Sequence, residues 1–244
     1  MAKVYLSPAY HRFNPCAVAG CDETTHNNLY LDELAVFLTA CGIEWKRGTR
    51  RIPDSNEDGD VLMRRAVAES DTWGADVHYV SHTNASGNTV GEGTARGYRP
   101  IIYQGSQRAE RLAVFMLARR REVYDGQISL NRRTDLYELR MPRAVTYYEE
   151  HVFHDNVEDA LWFHANLRSV ARSAAKGLCD YFGLLFREPY TVADPPAEEE
   201  LPAVAAPLYR VQVGAYRNRS GAESLLKSLR EAGFGEAFIA TVNV

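Results

Sequence analysis

The sequence predicts an α/β fold: a twisted, mostly parallel sheet flanked by helices, with a small C-terminal β-α-β unit after a linker. Two observations carry this reading. Strand-like apolar runs alternate with helical periodicity through about the first 185 of 244 residues, the pattern of repeated βαβ units. After them comes a stretch rich in Pro, Glu and Ala, and then a second short strand-helix-strand pattern.

Taken in order, Lys3 to Ser7 reads as a strand. Thr25 to Cys41 reads as a helix with Leu29, Leu34, Phe37 and Leu38 on one face, capped in front by Asp22 and closed by Gly42. Ile43 to Arg47 is a second strand, Asp60 to Ser70 a short helix and Asp76 to Ser81 a central strand. Gly97 to Tyr103 is a strand after a Gly-rich loop, and Gln107 to Tyr124 a helix. Its charge run, Arg119-Arg120-Arg121, reads as a solvated helix end. Ala144 to Tyr148 is a strand, and Val157 to Leu185 holds a long amphipathic helix.

These elements make a first domain of residues 1–187. Residues 188–207, with Asp194-Pro195-Pro196 and Glu198-Glu199-Glu200, bury too little apolar surface to order themselves and read as a linker. Residues 208–244 then offer a strand (Tyr209 to Val213), a helix (Ala222 to Ala232) and a strand (Ala237 to Val242).

Composition narrows the function. The chain is 45% hydrophobic and 25% charged with a net charge of -4. No basic stripe is present to displace counterions from duplex nucleic acid. No apolar stretch approaches the roughly 20 residues of a membrane span. The N-terminus runs straight into a strand without a signal-peptide h-region, so the expectation is synthesis in the cytoplasm without a classical signal. Of the four cysteines none forms a Cys-x-x-Cys pair, and they read as reduced and structural. The spacing of Cys16 and Cys21 keeps a zinc-thiolate reading open.

Candidate chemistry begins at His82-Thr83-Asn84, which closes the central strand where α/β sheets place ligands. His78 shares the face of His82 if the pleat is regular. A second histidine, His11, follows the first strand through Pro8-Ala9-Tyr10. Two such histidines and one acid would make a three-ligand zinc site with an open fourth position. The acid is Glu23, at the front of the first long helix, with His26 three residues on as a substitute ligand. The run Tyr147 to Asn156 reads as a strand end with two neighbouring acids, Glu149 and Glu150, one facing the site and the other solvent. A non-ligand carboxylate there would accept the proton of an attacking water.

The order His11, Glu23, Ser81-His82-Thr83-Asn84-Ala85, then Glu150 six residues before Asn156, resembles the zinc-dependent N-acetylmuramoyl-L-alanine amidases of the Amidase_3 family. Leu136-Tyr137-Glu138-Leu139-Arg140 ahead of Pro142-Arg143-Ala144-Val145, and Glu158-Asp159 behind Asn156, add to it over about residues 3–186. The resemblance implies Zn2+ held by His11, Glu23 and His82, with Glu150, preferred over Glu149 for its spacing to Asn156, as catalytic base. Two motifs depart from the family. Ser7-Pro8-Ala9-Tyr10-His11 has an extra residue and no glycine where the family has Asp-Pro-Gly-His, and Glu149 and His151-Val152-Phe153 flank Glu150 instead of an apolar residue and Gly-Phe.

Tyr209 to Tyr216, with Ala222, Leu225, Leu229 and Gly233-Phe234, resembles part of a SPOR repeat, a peptidoglycan-binding unit favouring glycan stripped of stem peptides. The implied reaction is hydrolysis of the amide between N-acetylmuramic acid and L-alanine in peptidoglycan, by a sporulation mother-cell or endolysin-like enzyme reaching the wall after lysis or non-classical release. Two rivals stand beside it: a metal-free wall-binding protein on the same fold, and a zinc peptidase acting within stem peptides.

Overall fold

The computed structural model describes residues 1–11, 13–49, 57–87, 89–189, 219–231 and 239. The chain divides into two compact units, Met1–Ala193 and Asp194–Val244. In the second, one helix is described, Arg219–Glu231, where the sequence predicts Ala222 to Ala232. The strands expected at Tyr209 to Val213 and Ala237 to Val242 lie outside the described residues apart from Ile239, as does the expected linker apart from Glu188 and Pro189.

In the first unit the chain runs β1 (Lys3–Pro8), α1 (Glu23–Ala40), β2 (Glu44–Arg47), α2 (Gly59–Trp73), β3 (Val77–Asn84), β4 (Ile101–Tyr103), α3 (Gln107–Arg120), β5 (Asn131–Arg133), α4 (Tyr137–Arg140), β6 (Val145–Phe153) and α5 (Val157–Phe182). Six strands form one sheet in the order β2-β1-β3-β6-β4-β5. Every neighbouring pair is parallel except β4 with β6, which makes the sheet mixed and mostly parallel. β1 lies between β2 and β3: the connection through α1 leads from β1 outward to β2, and the one through α2 runs back past β1 to β3, so the strand order reverses there. Such a switch opens a crevice at the carboxyl ends of the strands.

The two faces of the sheet differ. Val4, Leu6, Tyr79 and Tyr147 point to the side covered by α1, α3 and α5 and join the main apolar core with Leu34, Leu38, Leu112, Met116, Phe163 and Leu178. Val80, Ile101 and Tyr148 point to the other side and pack with Leu139 of α4. There Tyr5 also donates a 2.6 Å hydrogen bond to Glu69 of α2. Where α3 crosses α5 the helices approach closely at Gly177. A Cβ there would meet Met116 Sδ at 2.6 Å and its Cα at 3.1 Å.

Several expectations need correction. Leu29 is 40% exposed; the buried stripe of α1 runs through Asn27, Tyr30, Leu31, Leu34 and Leu38 instead. The strand expected over Gly97 to Tyr103 contracts to three residues, since Pro100 has no N–H to give a ladder. β6 does not stop at Tyr148: it stays paired with β3 as far as Asn84 and Phe153, across an irregularity between His82 and Asn84. Glu149 and Glu150 therefore sit inside a strand. The long helix ends at Phe182, where Gly183 adopts φ +69° as its cap. β5 and α4 are too short and polar to leave a periodic signal.

Candidate metal centre

Three elements deliver the site. His11 follows the end of β1, Glu23 is the first residue of α1, and His82 lies two residues before the end of β3. Helix α1 starts where it does because the Asp22 carboxylate accepts a 2.7 Å hydrogen bond from the Thr25 amide. That cap fixes Glu23 in the first turn, with its side chain turned inward and buried.

One donor atom from each of His11, Glu23 and His82 lies within 4.8 Å of the other two. The rings of His11 and His82 meet edge to face at 5.3 Å. Glu23 Oε1 sits 3.0 Å from His82 Nδ1 and accepts from the Thr83 amide at 3.2 Å, while Oε2 accepts from Asn14 Nδ2 at 2.8 Å. Burial alone would raise the Glu23 carboxyl. The hydrogen bond and charge of His82, the charge of His11 and the bond from Asn14 outweigh it and bring the group down to about 2. Burial likewise opposes charge on His82, but Glu23, then Glu150, hold its pKa above the ordinary value.

Glu150 pairs in register with His82 on the next strand, so both side chains leave the same face of the sheet. Tyr148, two residues earlier, stacks on the His82 ring at 4.8 Å. Glu150 Oε2 is buried without a hydrogen-bond partner. Burial, reinforced by the charge of Glu23, pushes its carboxyl up to about 8 against the pull of His82 and Arg133. The locality is rich in acceptors and short of positive charge. His11 and His82 line a cleft of about 740 Å³ with Tyr10, Asn14, Tyr137 and Glu138.

Glu149 does not face solvent as expected. It is buried on the opposite face, accepting hydrogen bonds from the hydroxyls of Tyr30 (3.1 Å), Tyr79 and Tyr98. Its charge partner is Arg120, whose Nη2 stands 3.1 Å away. The arginine run is thus not wholly a solvated helix end: Arg120 is 2% exposed and lies 4.1 Å over the Tyr98 ring. Arg120 also donates to His151 Nδ1 at 2.8 Å. Burial, together with the Arg120 charge, holds His151 well below the usual imidazole range, so it is neutral and its Nε2 carries the proton. Nε2 lies 3.0 Å from Ser81 Oγ, which donates to Asn27 Oδ1 at 2.7 Å, and Asn27 Nδ2 donates to the Glu23 carbonyl at 2.8 Å. A buried polar chain therefore runs from α3 along the helix-covered face of β6 and β3 to α1 and the residue that supplies the acid.

The remaining residues sort as follows. His78 does share the His82 face, but it is spent on Glu138 Oε1 at 3.0 Å, which also accepts from Ser7 Oγ at 2.6 Å. Glu138, on the cleft wall, was legible only as part of a motif without a role. Asn156 is structural: it caps α5 through the Asp159 amide at 3.0 Å and donates to the Gly93 carbonyl at 2.7 Å. His26 is grouped with Cys16 and Cys21, not with His11 and His82.

Residues 205–243 match the SPOR domain model. The chain is 27% identical over 180 residues to N-acetylmuramoyl-L-alanine amidase CwlM of Bacillus licheniformis, an alignment covering 72% of this chain and 62% of that protein. It is 26% identical over 240 residues to the sporulation-specific N-acetylmuramoyl-L-alanine amidase of Bacillus subtilis strain 168, covering 96% of this chain and 83% of that one. The crystal structure of N-acetylmuramoyl-L-alanine amidase from Clostridium difficile 630 superposes with a TM-score of 0.65 at 15% identity, over 75% of this chain and 97% of that one, a likeness of fold. In sequence and fold the chain is similar to the N-acetylmuramoyl-L-alanine amidases, with a SPOR match at its C-terminal end.

Proposed function

We propose that the first unit hydrolyses the amide between N-acetylmuramic acid and L-alanine in peptidoglycan, as a zinc enzyme. The observation that carries this is the convergence of His11, Glu23 and His82 within 4.8 Å, with Glu150 beside His82 in register. Two imidazoles and one carboxylate are the donor set of a catalytic zinc with a free position. The residues fit a cation: Glu23 is ionised and oriented, and Glu150 adds a buried acceptor atom without a partner.

Zinc bound there would supply Lewis acidity toward the scissile carbonyl and the attacking water. The chain's own groups do the rest. Asn14 and the Thr83 amide hold Glu23 in one orientation, as outer partners of a metal ligand do. Glu150 takes the proton of the water as its oxygen bonds to the lactyl carbonyl carbon. It then gives that proton to the departing alanine nitrogen as the C–N bond breaks. The cleft over His11 and His82 would seat the sugar and stem peptide. The SPOR match supports a second contact, to glycan already stripped of peptides, which would keep the enzyme on its own product.

Digestion of purified peptidoglycan by the full chain tests this. The expected products are intact stem peptides with a free L-alanine amino terminus, no longer released after chelation and released again on adding zinc. Cuts confined to bonds within the stem peptide, or undiminished release from metal-stripped protein, would overturn the proposal.

A further inference from the structure

We propose a second metal site, separate in its ligands from the first, in which Cys16, Cys21 and His26 bind a zinc-class divalent cation. One donor atom from each lies within 4.8 Å of the other two. Tetrahedral bonds of about 2.3 Å to sulfur and 2.0–2.1 Å to nitrogen need donor separations of roughly 3.5–3.8 Å, which fall inside that limit. Thiolate and imidazole are soft to borderline donors, which select zinc over magnesium or calcium.

The local backbone brings the donors together. Cys16 N donates to the Cys21 carbonyl at 3.0 Å, Pro15 and Asp22 form an antiparallel bridge, and Gly20 turns the chain at φ +74°. Cys16 and Cys21 thus stand at the base of a closed loop. His26 comes from the first turn of α1, which starts two residues beyond Cys21.

His26 gives independent support. It is fully buried. Its Nε2 is engaged by His164 Nδ1 of α5 at 3.0 Å, whereas its Nδ1 is buried with no hydrogen-bond partner. A protonated Nδ1 would leave an unpaired buried donor at a cost of about 1–3 kcal/mol. The favoured tautomer keeps the proton on Nε2, shared with His164, and leaves a bare lone pair on Nδ1. A metal-bound histidine has this arrangement: one ring nitrogen anchored by an outer partner, the other free to ligate. Both cysteines are free thiols. Ligation would release their two protons to solvent and leave one coordination position for a water or small anion.

The site would serve as a clip. The Cys16–Cys21 loop is flanked by Asn14, which donates to Glu23 Oε2, and by Glu23 itself, whose amide donates to the Asn14 carbonyl at 2.9 Å. Closing the loop with metal would stiffen the orientation of Glu23 without touching the reacting bond.

Cobalt substitution of the full chain under reducing conditions tests this, since only thiolate ligands give a strong sulfur-to-cobalt charge-transfer band in the near ultraviolet. The band is expected in the wild type, retained in His82→Ala and Cys41→Ser, and lost in Cys16→Ser and Cys21→Ser. No band in the wild type, or a band that survives both Cys16→Ser and Cys21→Ser, would overturn the proposal. If the serine variants fail to fold, alkylation of the wild type decides. Zinc is expected to protect Cys16 and Cys21 while Cys41 and Cys179 react at unchanged rates. Equal rates at Cys16 and Cys21 with and without zinc, or a Cys16–Cys21 disulfide that persists with reductant and zinc, would refute it.

Discussion

Replacing Arg120 with methionine keeps an unbranched stem and the helix propensity of the side chain but removes the only cation within hydrogen-bond reach of Glu149 among the described residues. Both partners are almost wholly buried, 2% and 1% exposed. Removing one member of a buried pair costs about 3–5 kcal/mol where the other charge is left uncompensated, but burial already holds the Glu149 carboxyl well above the ordinary carboxylate range, so it can discharge by taking up a proton. Three tyrosine hydroxyls still solvate Glu149 in the variant, which places the loss near the low end, about 3 kcal/mol. For a unit of this size a loss of 1 kcal/mol moves the melting temperature by about 2–4 °C, so the expected drop is roughly 6–12 °C. Thermal and urea unfolding of the full chain, followed by near-ultraviolet circular dichroism of the buried tyrosines, measures it. Adding Glu149→Gln to Arg120→Met is expected to recover more than half of the loss, since no ionisable carboxyl is then left buried. A loss under about 0.5 kcal/mol, the behaviour of an ordinary surface residue, would refute the buried-pair reasoning.

Other outcomes follow from the same geometry. Glu150→Gln is expected to lower turnover about 10²–10⁴-fold, the usual contribution of a general base, with zinc content unchanged by metal analysis. Asn14→Ala removes the 2.8 Å bond to Glu23 Oε2 and is expected to weaken zinc affinity about 10–100-fold in chelator competition, without a comparable loss of stability. Gly177→Ala forces a methyl group against Met116 and is expected to cost about 1–3 kcal/mol in urea unfolding, with activity per folded molecule unchanged.

The sequence carried the strand-helix alternation and its order because periods of 2 and 3.6 are written locally. It also carried the order of His11, Glu23 and His82, since each sits at or near the end of an element, whereas Glu150 lies inside β6 and was found by its spacing to Asn156. What it hid depends on contacts distant in sequence. Arg120 looked solvated because nothing in a run of three arginines says that the middle one turns inward to meet Glu149 across the core. Glu149 and Glu150 were separated correctly by pleat parity, but the direction of the non-site acid was wrong: β6 is covered on both faces, so its neighbour had to find buried partners. Leu29 failed because α1 buries polar residues in its first turn, Glu23, His26 and Asn27, which displaces the apolar stripe. Cys16 and Cys21 were read as reduced and structural with a zinc-thiolate reading left open, and the placement of His26 beside them could not be read from the sequence.

On the proposed mechanism, hydrolysis depends on a metal held by His11, Glu23 and His82. Zinc content and release of L-alanine-terminated peptides from peptidoglycan, measured together on wild type and His82→Ala, test it most directly. His82→Ala is expected to bind one zinc fewer per chain than wild type and to release no peptide, while its circular dichroism stays that of a folded protein. A His82→Ala protein that keeps the wild-type zinc content and still releases peptide would contradict it.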